Sequence, residues 1–159
     1  MEKIAIFVDV QNIYYTVKDG LNGQFDYNNF WSKVAVENES VEKAIAYAID
    51  RSDQKQIQFQ NILRGIGFKV KLKPYITRKD GSAKGDWDVG ITIDMLEAAS
   101  DVDRLVLLSG DGDFDLLLDR LSSLGKTVDV YGVAHLTADS LIKSASRFFP
   151  IDQSFTMQK

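Results

Sequence analysis

The 159-residue chain has no cysteine and a single histidine, His135. The first absence removes disulfides, thiolate zinc sites and cysteine nucleophiles together. It fits a reducing compartment. The second leaves a Ser-His-Asp triad with little support, and His135, after a late apolar run, reads as a loop or packing residue rather than a base. Neither a G-x-G-x-x-G run nor a Walker A run occurs, so nothing points to a nucleotide cofactor. The N-terminal apolar run, Ile4 to Val8, stops at Asp9 and is too short for a signal peptide or a membrane span. The expectation is a cytoplasmic protein. Excess positive charge is also lacking. A net charge of −4 argues against coating nucleic acid by bulk electrostatics, though it leaves room for a local basic groove.

What remains is ordinary globular composition, 45% hydrophobic and 26% charged. The length suits one domain, 1–159, able to bury a core without covalent staples. Ile4–Val8 reads as a central buried strand. A helix is expected from Gln11, carrying Ile13, Tyr14 and Val17 and ended by Gly20 and Gly23. Residues 26–36, with Tyr27, Phe30, Trp31 and Val34, read as a short amphipathic helix. Val41 to Ile49 suits a strand, although its alanines leave a helix open. Gln54 to Arg64 reads as a helix stopping at Gly65 and Gly67. Phe68 to Tyr75 sets Lys69, Lys71 and Lys73 against Val70 and Leu72, a half-exposed strand. A polar loop, Thr77 to Gly85, precedes a helix over Asp88–Ala99. Then come a strand at Arg104–Ser109, a helix at Asp113–Leu124, a strand at Val128–Val133, a helix at Thr137–Ser144 with Thr137 as N-cap, and a last short strand at Arg147–Ile151. Strands alternating with helices imply a parallel, doubly wound α/β sheet.

Asp9, Asp88, Asp111 and Asp113 each fall where a strand or loop gives way to a helix. Such junctions line the carboxyl edge of a parallel sheet, where open α/β folds build their sites. Taken singly, each has an ordinary role as a helix cap or a partner of the helix dipole. Together they are harder to explain that way. Ser109-Gly-Asp-Gly-Asp113 sets two carboxylates two residues apart after an apolar strand, and its glycines permit a tight turn. Asp9 ends the other strongly apolar strand, so the two strands are expected to be neighbours. Carboxylates gathered there repel one another, and a hard divalent cation is the usual remedy. A calcium loop over Asp111-Gly-Asp-Phe-Asp115 fails, because Leu116 and Ser122 stand where glycine and glutamate are needed. An aspartyl-phosphate mechanism wants Asp-x-Asp after the first strand, and Gln11 stands at its second acid.

Phe7-Val-Asp-Val-Gln-Asn12, Lys84-Gly-Asp-Trp-Asp88 with Asp94 following, and Leu108-Ser-Gly-Asp-Gly-Asp-Phe114 occur in order along the chain. Leu124-Gly-Lys-Thr-Val128 and the ending Leu141 to Phe149 follow. The set resembles the NYN domain, specifically its LabA-like branch. NYN domains are similar to PIN domains, metal-dependent ribonucleases. The resemblance implies a Rossmann-like, three-layer sandwich with a mainly parallel sheet of five to six strands and a Mg²⁺ or Mn²⁺ site. It implies Asp9, Asp88, Asp111 and Asp113 as ligands, and Asn12 as a residue that orients Asp9 or touches substrate. Ser109, Asp86 and Asp94 take supporting roles. Asp94 is six residues beyond Asp88, roughly 600° of helix rotation, which sets the two about 120° apart. Asp86 leaves the register of the third ligand open.

Substrate must still be held beside a negative site. Between residues 69 and 84 stand Lys69, Lys71, Lys73, Arg78, Lys79 and Lys84, against Asp80 alone. Tyr75, Trp87, Tyr14 and Tyr15 lie near the motifs and are available to stack bases. The three strand lysines fit protection of a sheet edge equally well. The expected activity is hydrolysis of RNA, probed best as single strands. The competing readings are a non-cleaving RNA-binding or regulatory domain and a small-molecule metal-dependent phosphatase. The exposed face of the 26–36 segment is available to a homodimer. Trp31 and Phe30 are expected in the core, and Phe114 is expected to pack its helix on the sheet.

Overall fold

The computed structural model describes residues 2–35, 39–74, 76–77, 83–84 and 86–157; of these, the side chains of residues 39, 76, 77, 83 and 84 are left undescribed. Tyr75, Arg78 and Lys79 therefore lie outside the described residues, as does the side chain of Lys84.

Strand β1 (Glu2–Asp9) leads into helix α1 (Val10–Leu21), then α2 (Tyr27–Val34), β2 (Glu39–Asp50), α3 (Gln54–Ile66) and β3 (Lys69–Pro74). A two-residue antiparallel hairpin, β4 (Ile76–Thr77) and β5 (Ala83–Lys84), precedes α4 (Asp88–Ala98). Then come β6 (Arg104–Leu108), α5 (Asp115–Ser123), β7 (Thr127–Gly132), α6 (Asp139–Ser144) and β8 (Arg147–Pro150). The six long strands form one all-parallel sheet in the order β3-β2-β1-β6-β7-β8.

The continuous apolar runs are explained by this order. Successive side chains of β1 point to opposite faces, and both faces are covered. Ile4, Ile6 and Val8 meet Ile13, Val17, Phe30 and Leu63 on one side. Ala5 and Phe7 meet Ile91, Met95, Leu118 and Leu141 on the other. The alanines of β2, Ala44, Ala46 and Ala48, are buried on the first of these faces and Ile45 and Tyr47 on the other, and the open choice there resolves as a strand. Phe30 is fully buried and Trp31 packs against Phe68. Phe114, also buried, ties the start of α5 to the sheet.

Three local expectations change. Helix α1 runs through Gly20 and ends at Asn22, which takes the left-handed conformation (φ 52°) and returns its N–H to the Lys18 carbonyl. Gly20 serves close approach instead, because a Cβ there would lie 2.8 Å from Cγ1 of Val133. Thr137 does not cap α6, which starts at Asp139. Its buried hydroxyl donates to the Val133 carbonyl (2.8 Å) and closes the turn after β7. On β3 the lysine face is not simply the solvent face. Lys71 and Lys73 are half-buried toward α4, whereas Leu72 is exposed. Among the described residues, no helix is long and apolar enough to cross a membrane.

Candidate metal centre

The chain works outward from β1 to β3, then crosses back to lay β6 on the other side of β1. That reversal opens a crevice at the carboxyl ends of β1 and β6, where such sheets bind ligands. Val8 pairs with Leu108. The next residues, Asp9 and Ser109, therefore emerge side by side.

Local chemistry then fixes the acids. The Asp9 carboxylate accepts from the Asn12 N–H (3.4 Å) at the start of α1 and from the fully buried Ser109 hydroxyl (3.2 Å). Ser109 Oγ in turn accepts the Asp111 N–H (3.2 Å), which curls the chain after β6 back over Asp9. Asn12 Oδ1 takes the Gly110 N–H (2.9 Å), so this side chain orients the loop that carries Asp111. Asp111 Oδ1 accepts the Asp113 N–H (2.9 Å) and stabilises the tight turn over Gly112–Phe114. The third acid, Asp88, begins α4, where the helix N-terminus favours a negative charge.

Asp9, Asp88 and Asp111 each offer a carboxylate oxygen to a group whose atoms all lie within 4.8 Å of one another. Burial first, and the carboxylates of Asp111 and Asp86 besides, push Asp9 up to about 6 against its hydrogen bonds to Asn12 and Ser109. Burial again, then Asp111, Asp86 and Asp9, push Asp88 up to about 7. Burial is the larger cause of both shifts, and the neighbouring carboxylates add to it. Ion pairs among the described residues join Lys71 with Asp94, Arg104 with Glu2 and Asp129, and Arg147 with Asp129. Three hard oxygen donors of like charge in a half-buried crevice fit a hard divalent cation.

The remaining expected residues are distributed around this group. Asp113 is exposed on the turn, outside the three. Asp86 is exposed beside them and accepts the Asp88 N–H (3.3 Å). Asp94 points away, to the Tyr47 hydroxyl (2.7 Å) and Lys71 Nζ (2.6 Å). Burial opposes its charge, but those two partners outweigh it and hold the carboxyl below its ordinary range. Tyr14 and Tyr15 are 50% and 44% exposed and form an edge-to-face pair. Trp87 is half-buried, and its indole N–H donates to the Ala48 carbonyl (2.8 Å). Tyr47 and the Ala48 carbonyl gave no sign in the sequence, because β2 reads there only as a buried strand.

Asn12→Ala should leave the Gly110 N–H without its partner and release the Asp111 loop. The expected cost is about 1–2 kcal/mol in thermal or urea unfolding. An unchanged midpoint would show that the loop is held without Asn12.

A family-wide sequence profile for the NYN domain matches residues 3–152. The chain is 26% identical over 161 residues to a protein of Synechococcus elongatus described as low amplitude and bright protein LabA, covering 94% of this chain and 84% of that one. It is also similar to a crystal structure of a protein of unknown function from Vibrio parahaemolyticus, with a TM-score of 0.92, 57% identity, and coverage of 98% of this chain and 96% of that one. The likeness thus extends through the motif-bearing loops as well as the sheet, and this chain belongs to the NYN domain family as a LabA-like member.

Proposed function

We propose that the protein is a metal-dependent ribonuclease that hydrolyses RNA phosphodiester bonds at the Asp9–Asp88–Asp111 centre. NYN membership and the acidic cluster support a nuclease-type or RNA-related function. The observation that carries the finer reading is the convergence of three carboxylates, Asp9, Asp88 and Asp111, from well-separated parts of the chain.

Asp9, Asp88 and Asp111 would hold Mg²⁺ or Mn²⁺. The bound cation would lower the pKa of a water and offset charge developing on the phosphate. The chain's own part is to keep ligands in place. Ser109 and the Asn12 backbone fix the Asp9 oxygens, Asn12 Oδ1 fixes the loop of Asp111, and Asp111 orients the turn to Asp113. Exposed Asp113 and Asp86 stand at the rim, suited to a second ion or to ordering water. Tyr14, with Lys18 Nζ 5.8 Å from its ring centre, offers a stacking surface two residues beyond Asn12. Lys84, Arg78 and Lys79 supply phosphate contacts in this reading, as a strip longer than a small phosphate needs.

The test is a Mn²⁺ titration followed by incubation with a labelled single-stranded RNA, its DNA counterpart and a generic aryl phosphate. The expected result is RNA cleavage that rises with Mn²⁺ occupancy and is lost on adding EDTA. Saturable Mn²⁺ and RNA binding without turnover would make the domain a regulator, and turnover of the aryl phosphate alone would make it a phosphatase.

A further inference from the structure

Two of the three ligands owe their places to the middle of the sheet. Asp9 ends β1 and Asp111 follows β6, adjacent strands whose ladder leaves little freedom. Asp88 has no such support. It follows the β4–β5 hairpin and opens a helix that lacks a side-chain N-cap. The carboxylates of Asp111, Asp86 and Asp9 all disfavour its negative charge.

The chain around Asp88 is nevertheless tied to the far edge of the sheet. Trp87, the residue before it, donates its indole N–H to the Ala48 carbonyl of β2 (2.8 Å). β2 outruns β1, since Tyr47 is the last residue paired with it, opposite Asp9. Ala48, one residue further, pairs with Leu72 of β3 but with no residue of β1, and its carbonyl takes the indole N–H. On β3, Lys73 Nζ donates to the Asp86 carbonyl (3.0 Å) and lies 4.5 Å from the centre of the Trp87 ring. The ring also meets Tyr47 (5.3 Å between centroids) and stands so close to Gly90 that a Cβ there would lie 2.6 Å from it. The Trp87 carbonyl accepts the Ile91 N–H (2.8 Å) and so starts the α4 ladder. Further along α4, Lys71 and Tyr47 grip Asp94.

We infer that Trp87 and Lys73 are positioning residues, a two-point clamp by which the β2–β3 edge holds Asp88 within reach of Asp9 and Asp111. Trp87 thereby acts inside the protein and not as a platform for bases. Lys73 likewise acts on the backbone of the acidic segment. The consequence for metal binding rests on the function proposed above; the clamp itself does not.

The test compares the parent with Trp87→Phe, which keeps a ring but removes the N–H, with Lys73→Met, which keeps the stem but removes the charge, and with Lys73→Arg, which restores donor and charge. Amide hydrogen exchange is measured on metal-free protein, and Mn²⁺ affinity by electron paramagnetic resonance. Trp87→Phe and Lys73→Met should speed exchange at Ile91 by about tenfold and leave the β1 and β6 amides unchanged. They should weaken Mn²⁺ binding by about tenfold, the size expected for groups that orient a ligand. Turnover at saturating Mn²⁺ should stay near the parental rate, and Lys73→Arg should recover most of the affinity. Unchanged exchange at Ile91 in both variants would overturn the clamp. Faster exchange with parental Mn²⁺ affinity would overturn its role in placing Asp88. A parent that binds no Mn²⁺ would instead remove the nuclease reading, and exchange would still decide the clamp.

Discussion

Asp9→Asn and Asp111→Asn should each reduce Mn²⁺-dependent cleavage of single-stranded RNA by at least about a hundredfold while leaving the fold intact. The substitutions are nearly isosteric. At position 9 the carboxamide oxygen still accepts the Asn12 N–H, and its amide can donate to Ser109 Oγ. At position 111 the oxygen still accepts the Asp113 N–H. Local geometry survives, whereas one negative donor to the cation is gone. Gel-based cleavage over a Mn²⁺ series, with circular dichroism on the same samples, checks both halves. Asp94→Asn is the comparison, because Asp94 faces Tyr47 and Lys71 and not the crevice. Its loss of activity should be far smaller. Parental cleavage by both site variants would place the chemistry elsewhere.

The same charges should make the metal-free protein less stable as pH rises, which is the second large effect. Asp9 titrates near 6 and Asp88 near 7 in the folded protein, both above the ordinary 3.8. Below about pH 4 each acid is protonated in the folded and unfolded chains alike, and the full stabilising contribution is present. Between pH 4 and 7 the unfolded chain releases its protons first, so the folded state loses its advantage. For Asp9, allowing for its partial exposure, the loss is on the order of 2 kcal/mol. Thermal melts in EDTA should therefore fall by several degrees between pH 5 and 8 from these groups, and saturating Mn²⁺ at pH 8 should restore the midpoint by mass action. Asp9→Asn removes part of the repulsion and should melt about 3–6 °C above the metal-free parent at pH 8. An inactive variant that is more stable than its parent would mark a site built under strain from like charge. A metal-free midpoint that does not fall between pH 5 and 8 in the parent, or Asp9→Asn melting with it at pH 8, would mean that neither burial nor the neighbouring carboxylates opposes the charge of these acids.

Much of this was readable because it is local. Ile4–Val8 and Leu105–Leu108 are apolar without alternation, which only a strand covered on both faces tolerates, and the two pair side by side. Asp9 and Asp111 sit at their carboxyl ends because the chain leaves the sheet there. Helix ends were less legible. Gly20 looked like a stop, yet Asn22 took the left-handed turn while Gly20 was needed for clearance from Val133. Thr137 looked like a cap, yet its hydroxyl found the Val133 carbonyl first. In both cases a contact made by the folded neighbourhood overrode a sound local preference.

By itself the sequence determined the alternation of buried strands and helices, and thus the edge at which the aspartates collect, since hydrophobic periodicity depends only on neighbours along the chain. The tertiary structure alone decided which three carboxylates meet, that Asn12 holds the Gly110 loop, and that Lys73 and Trp87 bind the Asp88 segment to β2 and β3. The hydrogen bonds among those links join atoms up to 98 residues apart. They depend on directional hydrogen bonds and on repulsion across a crevice, and both exist only once strand order has brought the partners within a few ångströms.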